Sequence, residues 1–78
     1  MKLSDLDPKT SAFKVLLHLT FKDRAMKPLE ITKSLGEKGS TVRARLAELR
    51  KNGLVENTPN GYVSCVTTYD ILMKLTQG

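Results

Sequence analysis

Apolar positions near the start of the chain recur every three or four residues, the spacing of one helix face. We expect a first helix to begin at Asp7-Pro8, because aspartate caps free amides and proline suits the first helical position. One apolar face consists of Phe13, Leu16, Leu17 and Thr20. A second stripe, which needs its own cover, consists of Ala12, Val15 and Leu19. The wing and the last helix of the same chain are candidate covers. The cover that we expect is a second copy of the chain, in a homodimer formed through this stripe and the C-terminal helix.

Two further helices follow, separated by a short turn. The pattern predicts a helix over 28–35 that ends at Gly36, since glycine readily adopts the left-handed backbone that closes a helix. Residues 37–39 form the turn, and the third helix is predicted from about 39 or 40 to 52, with Gly53 as its C-terminal cap. Its core seam, at positions i, i+4 and i+7, consists of Val42, Leu46 and Leu49.

Beyond the third helix the pattern changes to that of strands. A strand over 54–57, a turn over 58–61 and a returning strand over 62–66 predict a β-hairpin, because Asn-Gly suits a tight turn. A short β segment at 26–28 is a candidate third strand. A last helix is predicted to follow a cap at Thr67 or Thr68 and to carry Ile71, Leu72 and Leu75. The prediction is one domain over 1–78, mainly α with a small β-hairpin, in the order helix-helix-helix-hairpin-helix.

The stretch from Ile31 to Val55 combines two helices, a glycine-containing turn and an opening strand, the order of a helix-turn-helix that leads into a β-hairpin wing. It resembles the core of winged helix-turn-helix regulators, such as the multiple-antibiotic-resistance and arsenical-resistance repressors and small archaeal regulators. The resemblance extends from about Phe13 to Leu75. The residues that carry it are Ile31, Leu35, Gly36, Ser40, Thr41, Val42, Leu46, Leu49, Gly53, Leu54 and Val55.

This resemblance implies a transcriptional regulator that binds double-stranded DNA with the helix at about 40–52 in the major groove. The sequence departs from the family pattern in three places. Glu37 stands where the turn usually has an apolar residue, and Lys38 stands where a capping serine is usual. The wing, residues 57–62, contains neither arginine nor lysine, so its contribution to DNA binding is expected to be small.

The distribution of charge agrees with a polyanionic partner. The formal net charge is +5, and the segment from Lys22 to Lys51, with nine basic and four acidic residues, carries all of it. A localised basic excess of this kind favours nucleic acid.

Successive residues of a helix are rotated by about 100°, so the seam of the third helix also defines its outer face. Small side chains and Lys51 occupy that face, with Arg43 and Arg50 on one flank. A slim face suits the major groove, and arginine can read guanine through two hydrogen bonds. Two lysines beside the turn are candidates for phosphate contacts. The predicted DNA-binding residues are Lys33, Lys38, Ser40, Thr41, Arg43, Ala44, Ala47, Arg50 and Lys51.

Other classes of function find less support in the sequence. One histidine and one cysteine are too few for a structural zinc site, and no phosphate loop or nucleophile motif is present. We therefore expect no enzyme activity, no cofactor and no metal, and identify no small-molecule effector. His18 is expected on the surface and Cys65 buried or half-buried in a strand. The lone cysteine, the missing signal peptide and apolar runs shorter than the ~18 residues of a membrane helix predict a cytoplasmic protein.

Two alternatives to DNA binding remain. Winged helices also serve as docking modules in protein complexes, and the neutral wing and small size of the chain keep this alternative open. RNA binding is physically possible, but no aromatic residue is placed to stack on bases.

Overall fold

The computed structural model describes residues 3–76. Within them, a short 3₁₀ turn (Leu3–Asp5) precedes four α-helices and one β-hairpin. The order of elements is α1 (Ser11–Lys22), α2 (Pro28–Leu35), α3 (Gly39–Lys51), β1 (Val55–Thr58), β2 (Gly61–Ser64) and α4 (Thr68–Thr76). This confirms the predicted helix-helix-helix-hairpin-helix order and the mainly α class.

Helix α1 begins later than the sequence predicted. Thr10 is its N-cap, and the Thr10 hydroxyl accepts the backbone N–H of Phe13 at 3.3 Å. The Asp7 carboxylate instead accepts the N–H of Lys9 at 2.9 Å, and the Asp7 carbonyl accepts the N–H of Thr10 at 3.0 Å. Aspartate side chains stabilise such turns in competition with helix, so Asp7-Pro8 forms a turn that leads into the helix.

The second apolar stripe of α1 lies in the core. Ala12, Val15 and Leu19 are at most 3% exposed and belong to the same core as Leu6 and Ile71. Helix α1 packs against α2, α3, α4 and β2, which covers both of its apolar sides. The prediction that this stripe forms a dimer surface is therefore wrong.

The two central helices agree with their predicted phase, and their bounds agree to within one residue, since α3 ends at Lys51 rather than at 52. Ile31 of α2 and the seam of α3 are fully buried, and Gly36 ends α2 with a φ of 69°. Because helix periodicity and glycine caps are local properties, the sequence was sufficient to predict them. The fully buried seam consists of Val42, Leu46 and Leu49.

The hairpin is antiparallel, with Val55 opposite Ser64 and Thr58 opposite Gly61. Its strands are shifted slightly from the predicted 54–57 and 62–66. The predicted third strand at 26–28 is reduced to a single bridge between Met26 and Tyr62.

Helix α4 starts from a reciprocal cap. The Thr67 N–H donates to the Asp70 carboxylate at 2.9 Å, and the Asp70 N–H donates to the Thr67 hydroxyl at 3.1 Å. Such a cap satisfies two amides at a helix start, and it confirms Thr67 as one of the two predicted caps. Cys65 is exposed rather than buried or half-buried, because β2 ends at Ser64 and Cys65 lies in the bend that follows.

Candidate nucleic-acid interface

The outer face of α3 is open along its length. Of the nine predicted DNA-binding residues only Thr41 is half-buried, and the rest are exposed. The slim centre of this face consists of small side chains, at Ser40, Ala44 and Ala47, while Arg43 and Arg50 lie on one flank. The structure therefore brings the predicted α3 residues together on one surface.

Three of the four acidic residues within the basic segment are paired with cations outside the predicted set. Glu30 pairs with Arg24, Glu37 with Lys14 at 3.2 Å, and Glu48 with Arg45 at 3.6 Å. Among residues 3–76, none of the predicted site's cations takes part in an ion pair. These cations keep their full charge toward an incoming anion, and they are Lys33, Lys38, Arg43, Arg50 and Lys51.

The turn between α2 and α3 leaves the start of α3 open. Lys38 is the N-cap of α3, and its side chain makes no capping hydrogen bond. Free amides and the helix dipole make a helix N-terminus attractive to anions. The Arg43 guanidinium lies near this end, since a Cβ built on Gly39 would be 3.6 Å from Arg43 Nη1.

The wing itself is neutral, but a lysine that the sequence reasoning missed lies beside it. Met26 and Tyr62 are hydrogen-bonded through their backbones, and a Cβ on Gly61 would be 2.9 Å from the backbone nitrogen of Lys27. Lys27 is exposed. The β segment predicted at 26–28 was the sequence signal from which the position of Lys27 beside the hairpin could have been inferred.

His18 is half-buried rather than fully on the surface, and its Nε2 atom has no hydrogen-bond partner in the described part of the chain. Burial lowers the pKa of His18 below its usual value, and the nearby Lys22 and Arg24 lower it further. The neutral form of the imidazole is therefore favoured.

Between residues 3 and 76, no group of three or more His, Cys, Asp or Glu side chains is arranged to hold a metal ion. No helix in that range combines the length and apolarity needed to span a bilayer.

Residues 9–78 match the family model described as winged helix-turn-helix transcription repressor, HrcA DNA-binding. The chain belongs to this family. The match covers most of the chain, and it confirms the predicted winged helix-turn-helix fold and DNA binding. An HrcA-type domain is a DNA-binding module of transcription repressors, and the family is non-enzymatic. No curated protein matches the chain.

Proposed function

We propose that this HrcA-type domain binds double-stranded DNA by placing α3 in the major groove, and that it catalyses no reaction. The observation that carries the proposal is the outer face of α3, which is slim, exposed and free of unpaired acids. The major groove is about 12 Å wide, so a helix enters it most easily with small side chains in front. Ser40, Ala44 and Ala47 provide that leading face.

Base recognition is assigned to the flanks of this face. Arg43 and Arg50 are long, exposed and not involved in any ion pair among residues 3–76. Arginine donates two hydrogen bonds to guanine in the major groove. Thr41 lies on the other flank of α3 and Lys51 at its C-terminal end, and both are placed for further contacts with DNA.

Phosphate contacts are assigned to the residues around the turn. Lys33 is exposed on α2, and Lys38 precedes the uncapped start of α3. Contacts of this kind fix the position of a protein on the duplex without reading its sequence. Lys27 extends the same role to the neutral wing, because it lies beside Gly61.

The salt dependence of duplex binding tests this function. If Lys27, Lys33 and Lys38 each contact one phosphate, the slope of log affinity against log salt is expected to be about −2.7. Fluorescence anisotropy of a labelled duplex at several salt concentrations measures the slope. The Lys38→Gln variant is expected to reduce it by about one, while Lys9→Gln, an exposed lysine outside the site, leaves it unchanged. A slope near zero would rule out the DNA interface.

We further propose that the domain acts as a cytoplasmic homodimer, as the sequence led us to expect. Of the two surfaces expected from the sequence, we assign the contact to the C-terminal helix α4 alone, because the stripe of α1 is buried. Tyr69, Leu72, Met73 and Leu75 are large apolar side chains exposed on α4. Exposed apolar patches of this kind mark interfaces. A two-fold dimer would place two recognition helices about 34–36 Å apart and read a palindrome. We also propose that the domain is similar to the multiple-antibiotic-resistance and arsenical-resistance repressors, because the pattern from Ile31 to Val55 resembles the core of those families.

The exposed surface of α4 also favours a second candidate function, a protein-docking module within a larger complex. Winged helices support both roles, because function depends on the surface rather than on the fold. Docking through α4 would be insensitive to Lys38→Gln and would not require duplex DNA, so the salt experiment distinguishes the two functions.

A further inference from the structure

An open groove of about 490 Å³ runs along the outward side of α1. Helix α1 forms one wall with residues at positions i, i+3, i+4 and i+7, and the ends of α2 and α4 form the others. Its lysine already pairs with Glu37 at 3.2 Å, and burial favours the neutral form of its histidine. The groove therefore suits an apolar, uncharged occupant. The residues that line it are Lys14, Leu17, His18, Phe21, Leu35 and Leu75.

Helix α4 presents an apolar ridge directly beside this groove. Successive residues of a helix are rotated by about 100°, so the exposed apolar side chains of α4 follow one another around about 160° of its surface. The charged residues of α4, Asp70 and Lys74, lie outside this arc. Leu75 belongs to both surfaces, because it is exposed on α4 and also lines the groove. The ridge consists of Tyr69, Leu72, Met73 and Leu75.

The ridge and the groove match each other in length. From Lys14 to Phe21 the α1 wall of the groove rises about 10 Å, at 1.5 Å per residue. From Tyr69 to Leu75 the ridge rises about 9 Å. Every copy of the chain carries both surfaces side by side, so a two-fold axis can seat two ridges in two grooves at once. This self-complementarity favours a second copy of the chain over an unrelated partner.

The exposed apolar area is also sufficient for a dimer. The ridge and Phe21 together contain five large apolar side chains that are between 39% and 67% exposed. At roughly 150–200 Å² for a large side chain, they present on the order of 400–500 Å² to water in each copy. The half-buried Leu17 and Leu35 add to this area. An interface that covers both copies therefore buries about 1,000 Å², the size at which specific interfaces begin.

We propose that two copies of the chain form a two-fold dimer in which α4 of each copy lies in the groove of the other. This inference rests on the proposed homodimer and adds α1 and the end of α2 to its interface. Leu72 is at the middle of the ridge and Phe21 is the most exposed apolar wall of the groove, so these two side chains meet across the interface. Their removal from water drives association, and no charge of the ridge is buried in the process.

A charge placed in the groove tests this contact without altering α4. Phe21→Glu is expected to raise the dissociation constant of the dimer at least about tenfold, measured by sedimentation equilibrium, with helix content followed by circular dichroism. Leu29→Glu, at a position 61% exposed on α2 and outside the groove, is the matched control and should leave the dimer intact. A dimer unaffected by Phe21→Glu would overturn the groove contact and leave the proposed α4 homodimer standing.

Opposite charges on the two surfaces test whether they meet. Phe21→Lys and Leu72→Glu are each expected to be monomeric when alone. An equimolar mixture should recover the dimeric mass, because a mixed dimer combines one lysine–glutamate pair with one native contact between Phe21 and Leu72. The control mixture of Phe21→Glu with Leu72→Glu should stay monomeric, since like charges then meet. Recovery in neither mixture, or in both, would overturn the assignment of ridge to groove.

His18 reports on the groove in the unmodified protein, because it lines the groove and is the single histidine of the chain. Its ring C–H signals in proton NMR are expected to shift with protein concentration along the dissociation curve of the dimer. A dimeric mass with His18 signals that do not depend on concentration would overturn the groove contact alone. A monomeric mass at all concentrations would overturn the proposed homodimer together with it.

Discussion

Met26 and Tyr62 exchange two backbone hydrogen bonds, with N···O distances of 2.9 and 2.7 Å. The pair joins the loop between α1 and α2 to the second strand of the wing. Both groups of each residue are used, as in a hydrogen-bonded pair of an antiparallel ladder. The position of the wing relative to the start of α2 therefore depends on backbone contacts rather than on charged side chains.

This close approach predicts that Gly61→Ala is strongly destabilising. Gly61 has a φ of 127°, and a Cβ there would be 2.5 Å from the carbonyl carbon of Met26 and 2.6 Å from its oxygen. Strain and overlap with backbone atoms are expected to cost at least about 2 kcal/mol of the free energy of unfolding. Gly53→Ala is the control: its φ is 74°, but the space around it is open, so about 1 kcal/mol is expected. Urea denaturation measures both, and equal losses would contradict the role of the Met26 contact.

Substitutions at two basic positions should separate base reading from phosphate contact. Arg43→Ala is expected to cost about 1–3 kcal/mol of binding free energy and to relax sequence preference at one base pair. Lys33→Ala is expected to weaken binding to all sequences alike, because a phosphate contact carries no sequence information. Affinities for a panel of duplexes measure both effects. A uniform loss at Arg43 would show that this arginine only positions the backbone.

Helix α3 should tolerate change differently on its two sides. Leu46 is fully buried, so Leu46→Ala is expected to cost about 2–5 kcal/mol of stability by leaving a cavity. Ala47 is exposed, so Ala47→Leu should leave stability nearly unchanged but block DNA binding by thickening the groove face. Thermal unfolding and duplex titration of the two variants measure this contrast. Retained DNA affinity in a folded Ala47→Leu variant would argue against α3 in the major groove.

If α4 forms the dimer interface, one charge introduced on its surface should dissociate the dimer and lower the molecular mass in solution. Leu72 is 53% exposed on α4, so Leu72→Glu should halve the molecular mass in sedimentation equilibrium while helix content is retained. Leu29→Glu, at a position 61% exposed on α2, is the matched control and should leave the mass unchanged. Val15 is unsuitable for this test because it is fully buried and a charge there would unfold the domain. A wild-type protein of monomeric mass at all concentrations would exclude the α4 dimer.

Several features of this protein were determined by the sequence alone, because they depend on residues within one or two helical turns of each other. The bounds of α2, the buried seam of α3 and the closure at Gly36 follow from 3.6-residue periodicity and from the conformational freedom of glycine. The candidate DNA-binding face could be predicted for the same reason. Once Val42, Leu46 and Leu49 point inward, the opposite side of the helix is defined.

Other features were decided only by the tertiary structure, because they join residues far apart in the chain. Periodicity marked Val15 as apolar but did not reveal whether this chain or a second copy covers it. The pairing of Lys14 with Glu37 spans 23 residues, and that of Met26 with Tyr62 joins a loop to the wing, so neither leaves a local sequence signal. Such contacts depend on how the helices pack, and packing determined which cations stay unpaired, where the apolar groove opens and which surface of α4 remains exposed.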